Sequence, residues 1–369
     1  MTYYRGTEQK KPDKPVDIDQ ILRDSDPSRY TSDEDLAAAV NVALMLGKPL
    51  LLTGEPGTGK TDLASHVAMA LGLEEPERFD TKSTSQAGDL FYRFDSLARF
   101  NTNEKKPALG FVTFGPLGRA ILATLPPTHG LFEALKLDYP VPSTPGAVAK
   151  PRRSVILIDE IDKAPRDFPN DLLDAIDNVR FSIRELETER ADALLKACKT
   201  TDITAERSLR PVVLITSNSE KNLPAPFLRR CVYYHIEFPK TERLCAIVAR
   251  RASAALRNGS GAPPLTRLDP KALEAAREIA QQDLNPLLHS SVTLFQQIRS
   301  LELLKRPSTA ELIDWIRYLL ESGANATQHL RDFPSLVQQS LGVLVKSEED
   351  LKAVKLWMSK VPTGGEAVR

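Results

Sequence analysis

The chain has 369 residues, with 49 lysines and arginines against 49 aspartates and glutamates, so its formal net charge is zero. At roughly 150 residues per domain this length predicts two domains, with a core that needs neither disulfides nor metals to hold it. A hydrophobic fraction of 41% and a charged fraction of 27% are those of an ordinary globular protein, and the zero balance argues against a polybasic partner of nucleic acid or membrane.

The first 30 residues are polar and carry Pro12, Pro15 and Pro27. They predict an extended arm with one apolar turn at Ile18, Ile21 and Leu22. Ser32 offers a helix cap with Asp35 as capping-box partner. Leu36, Val40, Ala43 and Leu44 follow at helical spacing, and Gly47 and Pro49 stop that helix. Leu50–Thr53 is a short all-apolar run, as expected of a strand buried on both faces. Gly54–Gly59 is a glycine-rich turn. Lys60–Leu71 is helical again, and Gly72 ends it.

The strand–helix alternation recurs. Val155–Ile158 is a second apolar run, and Phe168, Leu172, Leu173 and Ile176 mark the helix after it. Val212–Thr216 is a third buried strand, and Val232–Phe238 suits a last one. Such alternation predicts a parallel sheet covered by helices. Arg99–Lys106 and the proline-rich stretch Pro126–Arg153 read as loops. Phe181–Glu187 and Leu209–Val212 would bracket an inserted hairpin. After Pro239 amphipathic helical patterns take over, broken by the loop Arg257–Pro264 and ending in a helix over 346–360. The expected division is an arm over 1–30, a core over 31–239, a helical lid over 240–345 and a C-terminal helix with its tail over 346–369. Trp315 and Trp357 fall at helical spacing with leucines and belong to the lid core. His235 and His289 have no ligand spacing around them and read as structural. Lys150, Arg152 and Arg153 read as a solvated basic loop.

Cys198, Cys231 and Cys245 are too few and too scattered for a disulfide framework or a zinc site, and read as small buried hydrophobes in a reducing compartment. No stretch approaches the roughly 20 apolar residues of a membrane span, and the N-terminus has no apolar core of signal-peptide length. A cytoplasmic protein with no membrane partner is expected.

Four motifs carry chemistry. Gly54-Glu55-Pro56-Gly57-Thr58-Gly59-Lys60-Thr61 fits G-x-x-x-x-G-K-[ST], with Asp62 next in the same helix. Glycines let successive N–H groups point into one concavity, and the helix that follows adds its positive end. Lys60 would reach the β- and γ-phosphates, and Thr61 would ligate Mg²⁺. Val155–Ile158 leads into Asp159 and Glu160 at a strand's carboxyl end, where ligands bind in open α/β sheets. Asp159 would hold Mg²⁺ and Glu160 would polarise a water. Pro211–Thr216 leads into Ser217 and Asn218. Asn218 is either the group that orients that water or a turn-forming asparagine. Leu228-Arg229-Arg230-Cys231 places adjacent arginines beside an apolar stretch, either to meet an anion or as a solvated helix end.

In this order the motifs resemble the AAA+ ATPases and, within them, the MoxR-like branch. The branch is suggested by Gly88-Asp89-Leu90, by Phe114-Gly115-Pro116-Leu117, and by Ile158-Asp159-Glu160-Ile161-Asp162-Lys163-Ala164-Pro165. The resemblance covers about residues 30 to 330. It implies a P-loop NTPase α/β fold, a parallel sheet sandwiched by helices, followed by a smaller all-α lid. It implies ATP and Mg²⁺ as cofactors, Asn218 at the sensor 1 position and Arg229 or Arg230 as an arginine finger. It also implies a ring, most often a hexamer, with chaperone-like remodelling of a partner such as a von Willebrand factor A-domain protein. One departure stands out. Where the branch carries a sensor 2 arginine this chain has Ala310, with Arg299, Arg306 and Arg317 as candidate substitutes. Two other classes fit the same motifs: a nucleic-acid-directed, restriction-type NTPase that uses either ATP or GTP, and a nucleotide-gated switch in a defence or signalling operon.

Overall fold

The computed structural model describes residues 27, 30, 32–101, 108–140, 149–185, 202–218, 221–257, 286–325 and 327–360. Two units are distinguished, one from Tyr30 to Glu237 and a second that starts at Phe238.

The first unit is α/β. Its strands are β1 (Leu50–Gly54), β2 (Glu77–Asp80), β3 (Tyr92–Phe94), β4 (Val112–Phe114), β5 (Val155–Asp159), β6 (Arg180–Phe181), β7 (Ile203–Thr204), β8 (Val212–Ser217) and β9 (Val232–Ile236). Five of them form one sheet in the order β2-β5-β8-β1-β9, and every neighbouring pair is parallel. The helices are α1 (Glu34–Leu46), α2 (Lys60–Ala70), α3 (Ser96–Asn101), α4 (Pro116–Thr124), α5 (Gly130–Leu135) and α6 (Phe168–Asn178), with a short turn of helix at Ala225–Leu228.

The all-apolar runs are explained by two separate cores, one on each face of the sheet. Leu50, Leu52, Val155, Leu157 and Leu214 pack with Leu36 of α1 and with Leu63, Ala64 and Val67 of α2. Leu51, Ile156, Ile158, Val213 and Ile215 point the other way, toward Leu117 and Ile121 of α4 and Phe168 and Leu172 of α6. Successive residues of a strand face opposite sides, so a strand clad on both must be apolar throughout. Each such side chain contributes about 1.5–3 kcal/mol on burial.

Several expectations are corrected. Helix α1 is capped by Asp33, whose carboxylate accepts the Leu36 N–H at 2.7 Å, rather than by Ser32 and Asp35. Asp33 wins because it is also fixed from the sheet, accepting the Tyr234 hydroxyl at 3.0 Å. The stretch expected to be loop from Pro126 contains α5, held by Leu131, Phe132 and Leu135 on the core. Arg99–Asn101 close helix α3. The inserted hairpin pairs Arg180 with Thr204 and Phe181 with Ile203, so its second arm is β7 and not Leu209–Val212, whose last residue opens β8. Residues 102–106, 186–187 and 258–264 of these readings, Cys198, most of the arm and the tail after 360 lie outside the described residues. The basic trio is bonded in part: Arg152 donates to the Pro140 carbonyl at 2.9 Å and Arg153 to the Ser208 carbonyl at 2.8 Å.

A second hairpin pairs β3 with β4 antiparallel, with Tyr92 opposite Phe114 and Phe94 opposite Val112. Phe181 of β6 joins the two hairpins, with ring centroids 5.3 Å from Phe91, 6.3 Å from Tyr92 and 6.3 Å from Phe114. The Tyr92 hydroxyl donates to Glu185 at 2.9 Å and accepts the Arg184 N–H at 3.2 Å.

The second unit is helical, with helices at Thr241–Arg257, Pro286–Ser300, Thr309–Glu321, Pro334–Leu344 and Glu348–Lys360. Leu244, Val248, Val292, Phe295, Leu312, Trp315 and Leu341 form its core, with Trp357 half-buried against it. The buried Trp315 indole donates to the Ser340 hydroxyl at 2.8 Å, as a buried N–H requires. No described helix is long and apolar enough to cross a membrane.

Gly115 and Gly118 explain the Phe114–Leu117 segment without reference to ligand. A Cβ on Gly115 would lie 2.2 Å from the Asp89 carbonyl oxygen, and one on Gly118 would lie 2.0 Å from that of Phe91. The first turn of α4 therefore rests directly on backbone. Gly118→Ala must displace main chain, at a cost of about 2 kcal/mol or more. The expected result is a thermal midpoint roughly 4–8 °C lower, and an unchanged midpoint in calorimetry would contradict it.

Candidate nucleotide site

The site lies at the carboxyl ends of β1, β5 and β8. The turn after β1 needs backbone that only glycine adopts freely, with φ of 146° at Gly54, 75° at Gly57 and 86° at Gly59. Gly54 also permits a close approach, since a Cβ there would meet the Ile236 carbonyl oxygen at 2.5 Å. Gly59 caps α2, and Tyr30 lies against it, with a ring carbon 3.0 Å from where a Cβ would be. Within the turn, the Thr58 hydroxyl donates to the Glu55 carbonyl at 2.9 Å.

Lys60 is only 6% exposed, and its ammonium donates to the carbonyls of Gly54 at 2.7 Å and Glu55 at 2.8 Å. Burial pulls its pKa below the ordinary 10.5, against the opposite influence of Asp159, Asp162, Glu160 and Glu55. Beside it the Thr61 hydroxyl donates to both Asp159 oxygens, at 3.2 and 3.3 Å. Asp62 sits in the first turn of α2, where an acid suits the helix dipole.

Asp159 is 6% exposed and accepts two further bonds, from the Thr216 hydroxyl at 2.5 Å and the Arg78 guanidinium at 2.8 Å. Glu160 follows in a left-handed conformation, φ 56° and ψ 52°, which costs a non-glycine residue about 1–2 kcal/mol. Its N–H donates to Thr216 Oγ1 at 2.8 Å. One carboxylate oxygen accepts Asn218 Nδ2 at 3.1 Å and the other pairs with the Lys163 ammonium. The Asn218 N–H in turn donates to Asp162 at 3.3 Å. Lys60, Thr61, Asp159, Glu160 and Asn218, widely separated in sequence, are thus brought to one place. A hydroxyl beside a carboxylate is an all-oxygen donor pair, and that chemistry suits Mg²⁺.

Arg229 and Arg230 are not brought there. Arg230 is ion-paired with Asp177 of α6 at 2.6 Å, while the exposed Arg229 has no side-chain bond to any described residue. In the helical unit Ala310 lies in the first turn after the Ser308 cap. Arg299 stacks 3.5 Å above the Phe238 ring and donates to the Pro307 carbonyl, Arg317 is buried, and Arg306 is exposed. His235 lies 2.9 Å from the Thr53 hydroxyl, and His289 lies 4.0 Å from Cys245. Burial pushes the Cys231 thiol up to about 12 and raises that of Cys245, so both are inert thiols.

Sequence reasoning missed Arg78, Lys163 and Thr216 as members of the site. Thr216 had a signal: it is polar at the end of an apolar strand, level with the residue after Ile158 in the β5–β8 register. Lys163 had one as well, standing three residues after Glu160 within the Ile158–Pro165 segment, whereas Arg78 had none, since an arginine on an edge strand is a usual surface residue.

A glycine loop from a buried strand into a helix, with an acid pair at the end of a companion strand, defines a P-loop NTPase fold followed by a helical region. Residues 49–231 match the family model of the AAA domain, dynein-related subfamily, and the chain therefore carries an AAA+ ATPase domain. Among solved structures it is similar to the Holliday junction branch migration motor RuvB of Thermotoga maritima. The identity is 16%, the match covers 86% of this chain and 70% of that one, and the TM-score is 0.39. A variant of the same RuvB gives 18% identity, the same coverages of 86% and 70%, and a TM-score of 0.34. No curated protein matches the chain.

The Lys60 environment yields a stability test on the nucleotide-free protein. Folded Lys60 loses its proton at lower pH than unfolded Lys60. Between the two pKa values the unfolded state binds more protons, so stability rises with pH there. The midpoint of the natural chain relative to Lys60→Met is expected to climb as pH approaches the ordinary lysine value of 10.5 from below. A constant difference in scanning calorimetry would contradict the burial of a charged Lys60.

Proposed function

We propose that this chain hydrolyses ATP, with Gly54–Asp62 as its phosphate site and Asp159, Glu160 and Asn218 as the groups around the γ-phosphate. The observation that carries the reading is the bonded path Thr61–Asp159–Thr216–Glu160–Asn218 beside the buried Lys60. The loop N–H groups and Lys60 hold the phosphates, with Lys60 exchanging its two carbonyl partners for phosphate oxygens. Thr61 and Asp159 would hold Mg²⁺, which supplies positive charge to the phosphates when bound. Glu160 takes the proton of the attacking water, and Asn218, already 3.1 Å from Glu160, orients both. With the donors fixed in advance, little reorganisation is needed as charge develops.

The proposal extends to assembly. Arg229 and Arg230 bond nothing at their own chain's site, and arginines at this place in the motif order complete the site of a neighbouring copy. The working form is then a ring, a hexamer by the resemblance, and its output is chaperone-like remodelling of a protein partner in the cytoplasm. The MoxR-like branch and a von Willebrand factor A-type partner rest on the sequence motifs alone. A nucleic-acid-directed motor draws no support from a chain of zero net charge.

Lys60→Ala is expected to abolish ATP binding, measured by equilibrium dialysis. Glu160→Gln should keep binding and lose hydrolysis by about 100-fold or more. Hydrolysis at the natural rate in Lys60→Ala would refute the assignment.

The trans site is tested by mixing. Arg229→Ala and Arg230→Ala are made singly and together, and the double variant should lose about 1,000-fold in rate. Mixed with Lys60→Ala subunits, which still carry both arginines, it should regain activity. Mixtures as inactive as their components would reject a shared site.

A further inference from the structure

We infer that Thr216 is a positioning residue for hydrolysis: its one hydroxyl sets both the Asp159 carboxylate and the left-handed turn that presents Glu160. This rests on the ATPase reading above.

The hydroxyl is 1% exposed in residue terms and uses both of its capacities. It donates to Asp159 Oδ1 at 2.5 Å and accepts the Glu160 N–H at 2.8 Å. The oxygen thereby closes a bridge between two consecutive residues of the neighbouring strand end. The turn needs such a bridge, because Glu160 has φ 56°, a conformation that a non-glycine residue keeps only when its surroundings impose it. Among the described residues no other bond to the Glu160 backbone N–H is seen. Glycine at 160 would adopt the turn freely but would carry no carboxylate. The chain instead keeps the acid and supplies the constraint from β8.

β8 is suited to this. It lies beside β5 with Ile158 opposite Ile215, so Thr216 reaches the same level as Asp159. Two residues on, Asn218 meets the Glu160 side chain at 3.1 Å. One strand end therefore grips Glu160 twice, by its backbone through Thr216 and by its carboxylate through Asn218. Valine has the same shape as threonine and neither hydrogen-bonding capacity, so it removes the bridge while filling the space.

The experiment compares Thr216→Val, Thr216→Ala and Thr216→Ser with the natural chain. In Val and Ala, kcat is expected to fall about 10- to 100-fold, the usual effect of losing a group that orients ligands. KM for ATP should stay within about twofold, because the loop and Lys60 hold the phosphates. Ser should restore most of kcat. A second readout does not need turnover: in a Glu160→Gln background, Thr216→Val should raise the Mg²⁺ concentration that half-saturates binding of a fluorescent ATP analogue. Natural kcat in both Val and Ala, or a loss that Ser does not restore, overturns the inference. A chain whose ATP hydrolysis is absent, or is unaffected by Lys60→Ala, overturns the ATPase reading instead. The Mg²⁺-dependent binding then still decides whether Thr216 sets Asp159.

Discussion

The buried carboxylate of Asp159 is where the unit is tied together. A charge with little access to water must have its oxygens occupied by donors. Here the donors come from three other elements: Thr61 from α2, Thr216 from β8 and Arg78 from β2. Meeting that demand fixes the start of the helix after the glycine loop against the end of β5. It also sets the level of the two flanking strands. The parallel sheet makes such convergence possible, because its strands all deliver polar residues to the same edge. The two apolar cores hold the strands in register, and Asp159 uses that register.

What could be read in the sequence was what is local or periodic. The glycine loop, the three apolar strands and the helices after them follow from short patterns. The fold class follows from their alternation. β2 escaped because an edge strand reading Glu-Arg-Phe-Asp has no apolar run, being half-exposed. β3, β4, β6 and β7 are two or three residues long and owe their form to the aromatic joint at Phe181, which no window of sequence contains. The capping error at α1 has the same origin: Ser32 and Asp33 look alike locally, and the hydroxyl of Tyr234 on β9 makes the difference. For the candidate site, Lys60, Asp159 and Glu160 are motif positions. Thr216 and Arg78 belong to it through contacts that depend on sheet order, and Lys163 through a local pair three residues after Glu160.

The helical unit raises a different constraint. Ala310 offers no guanidinium where the resembled branch carries one, and the arginines nearby are disposed in three ways. Arg299 lies on the face of Phe238, an arrangement that satisfies cation and ring together. Arg317 is buried within the unit, and Arg306 is exposed to solvent. Arg299 would have to give up the Phe238 ring and the Pro307 carbonyl to serve any ligand, so its packing opposes such a role.

The aromatic joint at Phe181 has its own consequence. The ring is shared by two hairpins distant in sequence, and Tyr92 adds bonds from one hairpin to the residues after β6. Neither hairpin can detach without baring apolar rings of the other. They form one cooperative unit of local stability, so their amide protons would exchange in a common opening event and not independently. A force on either hairpin is then borne by both, and through Gly115 and Gly118 it reaches the backbone at the start of α4.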